Sequence, residues 1–103
     1  MKFKNLTPHD IVLNDGTIYS KSWEIARVST SYEPFDENKI TKQTFGKIEW
    51  LPETTEEVII IVSALVLSAL QGTRQDVVAP ATGHPDVKRN EKWQIISVPG
   101  FTR

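Results

Sequence analysis

The chain has 103 residues, 39% of them apolar and 24% charged, which is the composition of one soluble globular domain (1–103) with a modest core. Its formal net charge of −1 argues against general nucleic-acid binding, because neutralising phosphates requires clustered Lys and Arg. The absence of cysteine excludes disulfides, zinc–thiolate sites and thiol nucleophiles.

The N-terminal part predicts β structure with a hairpin. The segments "KFKNLT" and "DIVLNDGTIYS" are β-like, and Asn14–Asp15–Gly16 within the second segment tolerates the positive φ of a tight turn. The alternation in "WEIARVS" (23–29) predicts a further strand.

The middle of the chain predicts a long loop and then a strand. Residues 30–39 are polar, contain Pro34 and have no period, so they are predicted to form the longest loop. Residues 40–52 predict a strand that is bulged at Gly46 and ends at Pro52.

The stretch "VIIIVSALVLSALQGTRQDVVAP" (58–80) predicts a strand, a short helix and a second strand. Val58–Val62 are consecutive β-branched residues, as in strands that are buried on both faces. Ser63 stands where a helix N-cap would, and Gly72 stands where a C′ residue would end the helix. "VVAP" (77–80) predicts the second strand.

A hairpin about Arg89–Glu91 is predicted near the end of the sequence. Together the segments predict a mainly β (α+β) fold of six to seven short strands, with one short helix following a buried strand. The expected arrangement is a small β-barrel or sandwich-like domain.

No segment predicts a membrane anchor or an export signal. The N-terminus lacks the apolar h-region of a signal peptide. The apolar run Val58–Leu70 is also shorter than the roughly 20 residues that a spanning helix needs. We therefore expect a cytoplasmic protein with no membrane partner.

The junction at Ser63 is the strongest candidate for a binding site. A strand that leads into a helix leaves the first helical N–H groups unpaired at the positive end of the helix dipole, where an anion can bind. Arg74, just after the helix, could provide a bidentate partner for phosphate or carboxylate. The alternative is structural: Ser63 only caps the helix, and Arg74 pairs with Asp76.

Arg27 and His9 are further candidates. Arg27 lies within an apolar strand, where it snorkels, pairs with a buried acid such as Asp76, or lines a pocket. His9 precedes Asp10, and His84 lies two residues before Asp86. The spacing of these histidines and aspartates matches no metal motif, and no metal site is predicted. The predicted ligand-binding residues are Ser63, Arg74, Asp76, Arg27 and His9.

No motif identifies a reaction. A G-x-S-x-G nucleophile elbow and a glycine-rich phosphate loop are both absent from the sequence, and no nucleophile–base pair stands out. The sequence therefore leans against an enzyme, predicts no catalytic residue and implies no cofactor.

Four segments occur in a familiar order: "NLTPH" (5–9), "IARVS" (25–29), "IIIVSALV" (59–66) and "RQDVVAP" (74–80). The chain thereby resembles a family of small proteins, without an assigned activity, that tailed bacteriophages and bacteria encode. The resemblance covers nearly the whole chain and is weakest at 30–45. It implies a phage-encoded protein of the host cytoplasm and no particular site residues.

Two hypotheses follow. The first is a non-enzymatic protein that binds a small anionic ligand, such as a nucleotide derivative, with a Trp (23, 50 or 93) stacked on its base. By analogy with phage proteins that sequester the nucleotide signals of bacterial immunity, this hypothesis includes a counter-defence role. The alternative is an interaction module without a small ligand, which pairs with itself or with a host protein through a strand edge or an aromatic patch.

Overall fold

The structure, a computed structural model, describes residues 2–54 and 57–103. These residues form one short helix, α1 (Ala64–Leu70), and ten strands. The strands are β1 (Lys2–Asn5), β2 (Ile11–Val12), β3 (Ile18–Tyr19), β4 (Arg27–Tyr32), β5 (Gln43–Glu49), β6 (Val58–Ile61), β7 (Val77–Pro80), β8 (Lys88–Arg89), β9 (Ile95–Ser97) and β10 (Phe101–Thr102). The predicted mainly β class with one short helix is confirmed. The number of strands is ten instead of the predicted six to seven, because several strands contain only two residues and are too short to be recognised from the sequence.

A four-stranded sheet with the order β1-β6-β7-β10 forms the centre of the molecule. β6 pairs in parallel with β1 on one side and with β7 on the other, whereas β10 pairs antiparallel with β7. Parallel neighbours need a crossover connection, and α1 lies within the crossover between β6 and β7. The predicted order of buried strand, helix and second strand is therefore confirmed.

The ends of α1 follow the predicted caps. The Val66 N–H donates to Ser63 Oγ over 3.4 Å, and Ser63 has an extended backbone, as an N-cap residue does. At the other end, Gln71 (φ 52°) and Gly72 (φ 76°) both adopt the left-handed conformation and end the helix. Ser63 and Gly72 thus limit the helix to two turns.

Two apolar clusters cover the two faces of the central sheet. Successive residues of β6 point to opposite faces, so Ile60 belongs to one cluster and Ile61 to the other. The first cluster contains Leu6, Ala26, Ile60, Val62, Val66 and Val77. The second contains Ile11, Ile61, Val78 and Val98. Burial on both faces explains why this part of the sequence is continuously apolar.

Both predicted hairpins are present. β2 and β3 pair antiparallel about a turn in which the Leu13 N–H donates to the Thr17 carbonyl over 2.8 Å, and Gly16 has a φ of 94°. β8 and β9 pair about the segment 90–94, where Asn90 Oδ1 accepts hydrogen bonds from two backbone N–H groups of the turn. Side-chain acceptors of this kind are typical of tight turns.

The strand predicted at 23–29 and the loop predicted at 30–39 need correction. The strand β4 starts only at Arg27 and continues through Tyr32, because residues 30–32 pair with residues 43–45 of β5. Trp23 has a φ of 70° and cannot continue a strand. The Ser and Thr residues of this exposed strand pair lack the apolar alternation that identifies a strand with one buried face.

The predicted bulge at Gly46 is confirmed. Val28 pairs with Ile48 and Thr30 pairs with Phe45, so Ser29 faces two residues of β5, Gly46 and Lys47. A Cβ on Gly46 would lie 3.1 Å from the Ser29 Cβ, which is tighter than an ordinary contact. The lack of a side chain at Gly46 therefore permits the close approach.

The pairings among residues 2–54 and 57–103 give four separate sheets, each with a linear strand order. The molecule measures 48 × 39 × 22 Å along its principal axes. The described part of the chain contains no helix that is long and apolar enough to cross a bilayer.

Replacing Val66 by Ala should lower the free energy of unfolding by about 2 kcal/mol, because this side chain is 2% exposed and its removal leaves a cavity. Leu65→Ala on the same helix is the matched control, since Leu65 is 42% exposed. We expect the control to change stability by less than about 1 kcal/mol. Urea unfolding measures both, and equal losses would contradict this packing.

Candidate functional site

Two neighbouring depressions meet at Arg27, and we call them together the Arg27 cleft. They share Ile25 and Arg27 and have volumes of about 300 and 370 Å³. The first is completed by Trp23, Glu24 and Trp50. The second is completed by Leu6, Pro8, Ala26, Val28, Ser63, Leu65 and Val66. The cleft thus brings together two of the predicted site residues, Arg27 and Ser63.

The segment before β4 is held against the end of β1 by backbone hydrogen bonds. The Ala26 N–H donates to the Leu6 carbonyl over 3.0 Å, and Ser22 donates to the Asn5 carbonyl through both its N–H and its hydroxyl. These bonds fix the wall of the cleft that contains Trp23 relative to the central sheet.

A buried amide orders the loop that follows β1. Asn5 Nδ2 donates to the carbonyls of His9 and Tyr19 over 2.9 Å each, and Asn5 Oδ1 accepts from both the N–H and the hydroxyl of Thr7. Asn5 and Thr7 are buried, so these bonds satisfy polar groups that have left water. The segment "NLTPH" therefore has a structural role, and it positions Pro8 at the cleft.

Two tryptophans flank Arg27. Trp23 is 82% exposed and Trp50 is 74% exposed, and both have a left-handed backbone, with φ values of 70° and 65°. In the backbone register of the β4–β5 hairpin, Arg27 lies opposite Glu49. This register places Trp50 at the same end of the hairpin as Arg27. Two largely exposed tryptophans therefore line the same depression as Arg27.

Arg27 is an exposed cation that lines both depressions of the cleft. Within residues 2–54 and 57–103, no hydrogen bond or ion pair engages its guanidinium. The nearby Glu24 carboxylate pairs with Lys4 over 2.9 Å, and Lys21 Nζ lies 4.5 Å from the centroid of the Trp23 ring. Of the three roles considered for Arg27, snorkelling to solvent and the lining of a pocket both agree with its exposed position in the cleft. The structure does not support the pairing with Asp76.

Ser63 contributes to the cleft as a wall residue. Its hydroxyl accepts the Val66 N–H, so the capping role is confirmed. The helix that it caps has only seven residues. A helix this short gives little reason to place a phosphate at its first amides, and we assign none to them.

Arg74 and Asp76 are engaged with each other. Arg74 Nε and Nη2 donate to the two carboxylate oxygens of Asp76 over 3.0 and 2.8 Å. These bonds raise the pKa of Arg74 and hold the pKa of Asp76 below its ordinary value. Arg74 lines a separate depression with the end of α1 and Arg103. The structure thus shows the alternative in which Arg74 pairs with Asp76. Arg74 and Ser63 line different depressions and do not form one site.

His9 also lies outside the Arg27 cleft. Its side chain lines a depression of about 270 Å³ together with residues of β2 and β9. Its backbone carbonyl accepts hydrogen bonds from the side chains of Asn5 and Thr7. The structure therefore gives His9 a role in ordering the loop after β1.

The sequence did not distinguish Trp23 and Trp50 from Trp93. All three are exposed and have positive φ, but Trp93 lies in the turn between β8 and β9. One signal in the sequence could have singled out Trp23 and Trp50. If the predicted strands 23–29 and 40–52 pair antiparallel, positions 23 and 50 lie at the same end of one hairpin.

Replacing Asp76 by Asn should flatten the dependence of stability on acid pH. Arg74 holds the pKa of Asp76 below its ordinary value of 3.8, so the carboxylate stabilises the fold above that pH. This contribution is lost as the pH falls through the lowered pKa. The D76N variant should be less stable at neutral pH, since Arg74 loses its partner, and should lose less on acidification.

The measurement is urea unfolding at intervals from about pH 7 to about pH 2. Glu91→Gln, at an exposed position, is the control and should follow the wild type. Parallel curves for D76N and the wild type would show that titration of Asp76 does not contribute to the loss of stability in acid.

Comparison with protein-family models, with curated proteins and with solved structures finds no match to this chain. The resemblance to the phage-encoded family therefore stays a prediction, and function has to be inferred from the residues of this chain.

Proposed function

We propose that the chain is a non-enzymatic binding protein for a small ligand that combines an anionic group with a planar ring, such as a nucleotide. The ligand occupies the Arg27 cleft. One observation carries the proposal: the guanidinium of Arg27, without a partner in the described chain, lies in a depression that Trp23 and Trp50 also line.

Each part of the cleft has a role in this proposal. Arg27 binds the phosphate or carboxylate, since its planar guanidinium can donate two parallel hydrogen bonds to either group. Trp23 or Trp50 stacks on the ring of the ligand, an interaction worth about 1–3 kcal/mol per base. The apolar half of the cleft, about 370 Å³, has a volume within the range of small-molecule sites.

The proposal revises the predicted set of ligand-binding residues. Arg27 is retained as the anion-binding residue and Ser63 as a wall residue. Arg74 and Asp76 are engaged with each other, and His9 lies outside the cleft, so these three residues receive no ligand contact. A phage counter-defence role, a location in the host cytoplasm and a barrel- or sandwich-like closure of the sheets stay predictions.

An interaction module is the second candidate, because part of the β4–β5 hairpin carries uncovered apolar side chains. This candidate needs no small ligand. Tyr32 and Phe45, which are exposed on the hairpin, do not line the Arg27 cleft, so one function does not exclude the other.

Isothermal titration calorimetry with AMP, GMP, CMP and UMP tests the ligand proposal, because its signal does not depend on the tryptophans that are replaced. Arg27→Ala should weaken nucleotide binding at least tenfold, equivalent to about 1.4 kcal/mol. The same variant should change binding of the uncharged nucleosides much less. Replacement by Phe of the tryptophan that stacks, Trp23 or Trp50, should weaken binding of both nucleotides and nucleosides.

Trp93→Phe is the matched control, since Trp93 is equally exposed but lies in the turn between β8 and β9. Its affinities should equal those of the wild type. Binding that is unchanged in Arg27→Ala, or lost equally in Trp93→Phe, would contradict the proposed site. The absence of heat with all four nucleotides at millimolar concentration would contradict the nucleotide as ligand.

A further inference from the structure

The β4–β5 hairpin has one polar and one apolar face. Ser31 Oγ and Thr44 Oγ1 are 2.6 Å apart, so these paired residues point to the same face. Neighbouring positions point to the other face, where Thr30 pairs with Phe45 and Tyr32 pairs with Gln43. This second face, which also includes Val28 and Ile48, is here called the apolar face.

The molecule covers only the base of the apolar face. Val28 and Ile48 are partly buried and pack against the first apolar cluster, beside α1. Farther along the hairpin, Phe45 is exposed and Tyr32 is 64% exposed. Phe35 and Ile40, in the segment that joins the two strands, are also exposed.

An uncovered two-stranded hairpin is a weak structure in water. Antiparallel sheets normally bury one face against a core, and an isolated hairpin is marginally stable at best. The outer part of this hairpin pairs only with itself, so packing on its apolar face by another molecule would stabilise it.

The accessible surface of the chain indicates how much could be covered. It measures 7535 Å². A compact monomer of 11.7 kDa is expected to expose about 5,900 Å². The excess, about 1,600 Å² per chain, belongs to the whole elongated chain and not to this face alone. It leaves room for an interface of standard size, in which each partner buries roughly 800 Å².

The charges of the hairpin allow two copies to meet. Residues 27–49 contain four acidic and four basic side chains, so two equivalent hairpins do not repel each other through net charge. A two-fold interface places the same patch on both sides, and that patch must be complementary to itself.

We propose that the apolar face of the β4–β5 hairpin is the interface of a homodimer, in which Tyr32 and Phe45 of one copy pack against the same face of a second copy. This interface does not depend on ligand binding at the Arg27 cleft. It names a second copy of the chain as the partner of the interaction-module candidate.

Multi-angle light scattering after size-exclusion chromatography, with the protein at about 100 µM, tests the interface. The wild type should have twice the chain mass of 11.7 kDa. Tyr32→Glu and Phe45→Glu should each shift the mass to that of one chain, because a carboxylate in the interface is costly to desolvate.

Two controls place the same charge on the polar face of the same strands. Ser31→Glu is adjacent to Tyr32, and Thr44→Glu is adjacent to Phe45, but both point away from the proposed interface. These variants should remain dimeric. Circular dichroism of all four variants should match the wild type, since the substituted side chains lie outside both apolar clusters.

Dissociation by Tyr32→Glu and Phe45→Glu but not by the controls would support the proposal. A wild type that is monomeric at this concentration would overturn it and would leave the face to a different partner. A dimer that both apolar-face variants leave intact would also overturn it.

Discussion

The structure depends on β6 being buried on both faces and paired along both edges. Its neighbours β1 and β7 take its backbone hydrogen bonds, while Ile60 and Ile61 fill opposite clusters. A strand in this position is apolar at every residue, since each of its faces packs against a cluster; its last two residues are buried and its first two are partly buried. Ile60, Ile61 and Val62 are at most 1% exposed. The helix α1, which begins at Ala64, packs against the first apolar cluster through Val66.

The Arg27 cleft is an extension of this core. β1 lies beside β6, and the carbonyls of Asn5 and Leu6 at its end hold the segment that contains Trp23. The buried amide of Asn5 orders the loop that contributes Pro8. The walls of the cleft are thus fixed by the central sheet, whereas the tryptophan rings and the Arg27 guanidinium project into solvent. A rigid base with exposed functional side chains is a favourable arrangement for binding.

How far the sequence predicts this structure depends on burial. Val58–Val62 and the caps Ser63 and Gly72 were predictable, because burial on both faces and helix ends impose strong local preferences. The extent of β4 was not predictable, since its Ser and Thr residues pair in an exposed hairpin without apolar alternation. The ion pair between Arg74 and Asp76 was predicted from their closeness in the sequence, but only as the alternative to anion binding by Arg74. Arg27, Ser63 and a tryptophan were predicted as binding residues, but not that they line one cleft, because Arg27 and Trp50 are brought together by pairing between distant segments.

The parallel pairing of β1 with β6 has a consequence for the order of folding. Residue 2 pairs with residue 58, and β10, at residues 101–102, completes the far edge of the same sheet. The N-terminal strand therefore has no partner in the sheet until more than half of the chain has been synthesised. Contacts of such long sequence separation slow folding, because the loop must close before they stabilise the chain. During translation β1 would stay without its neighbour in the sheet until β6 had left the ribosome, and β10 would be added to the edge last.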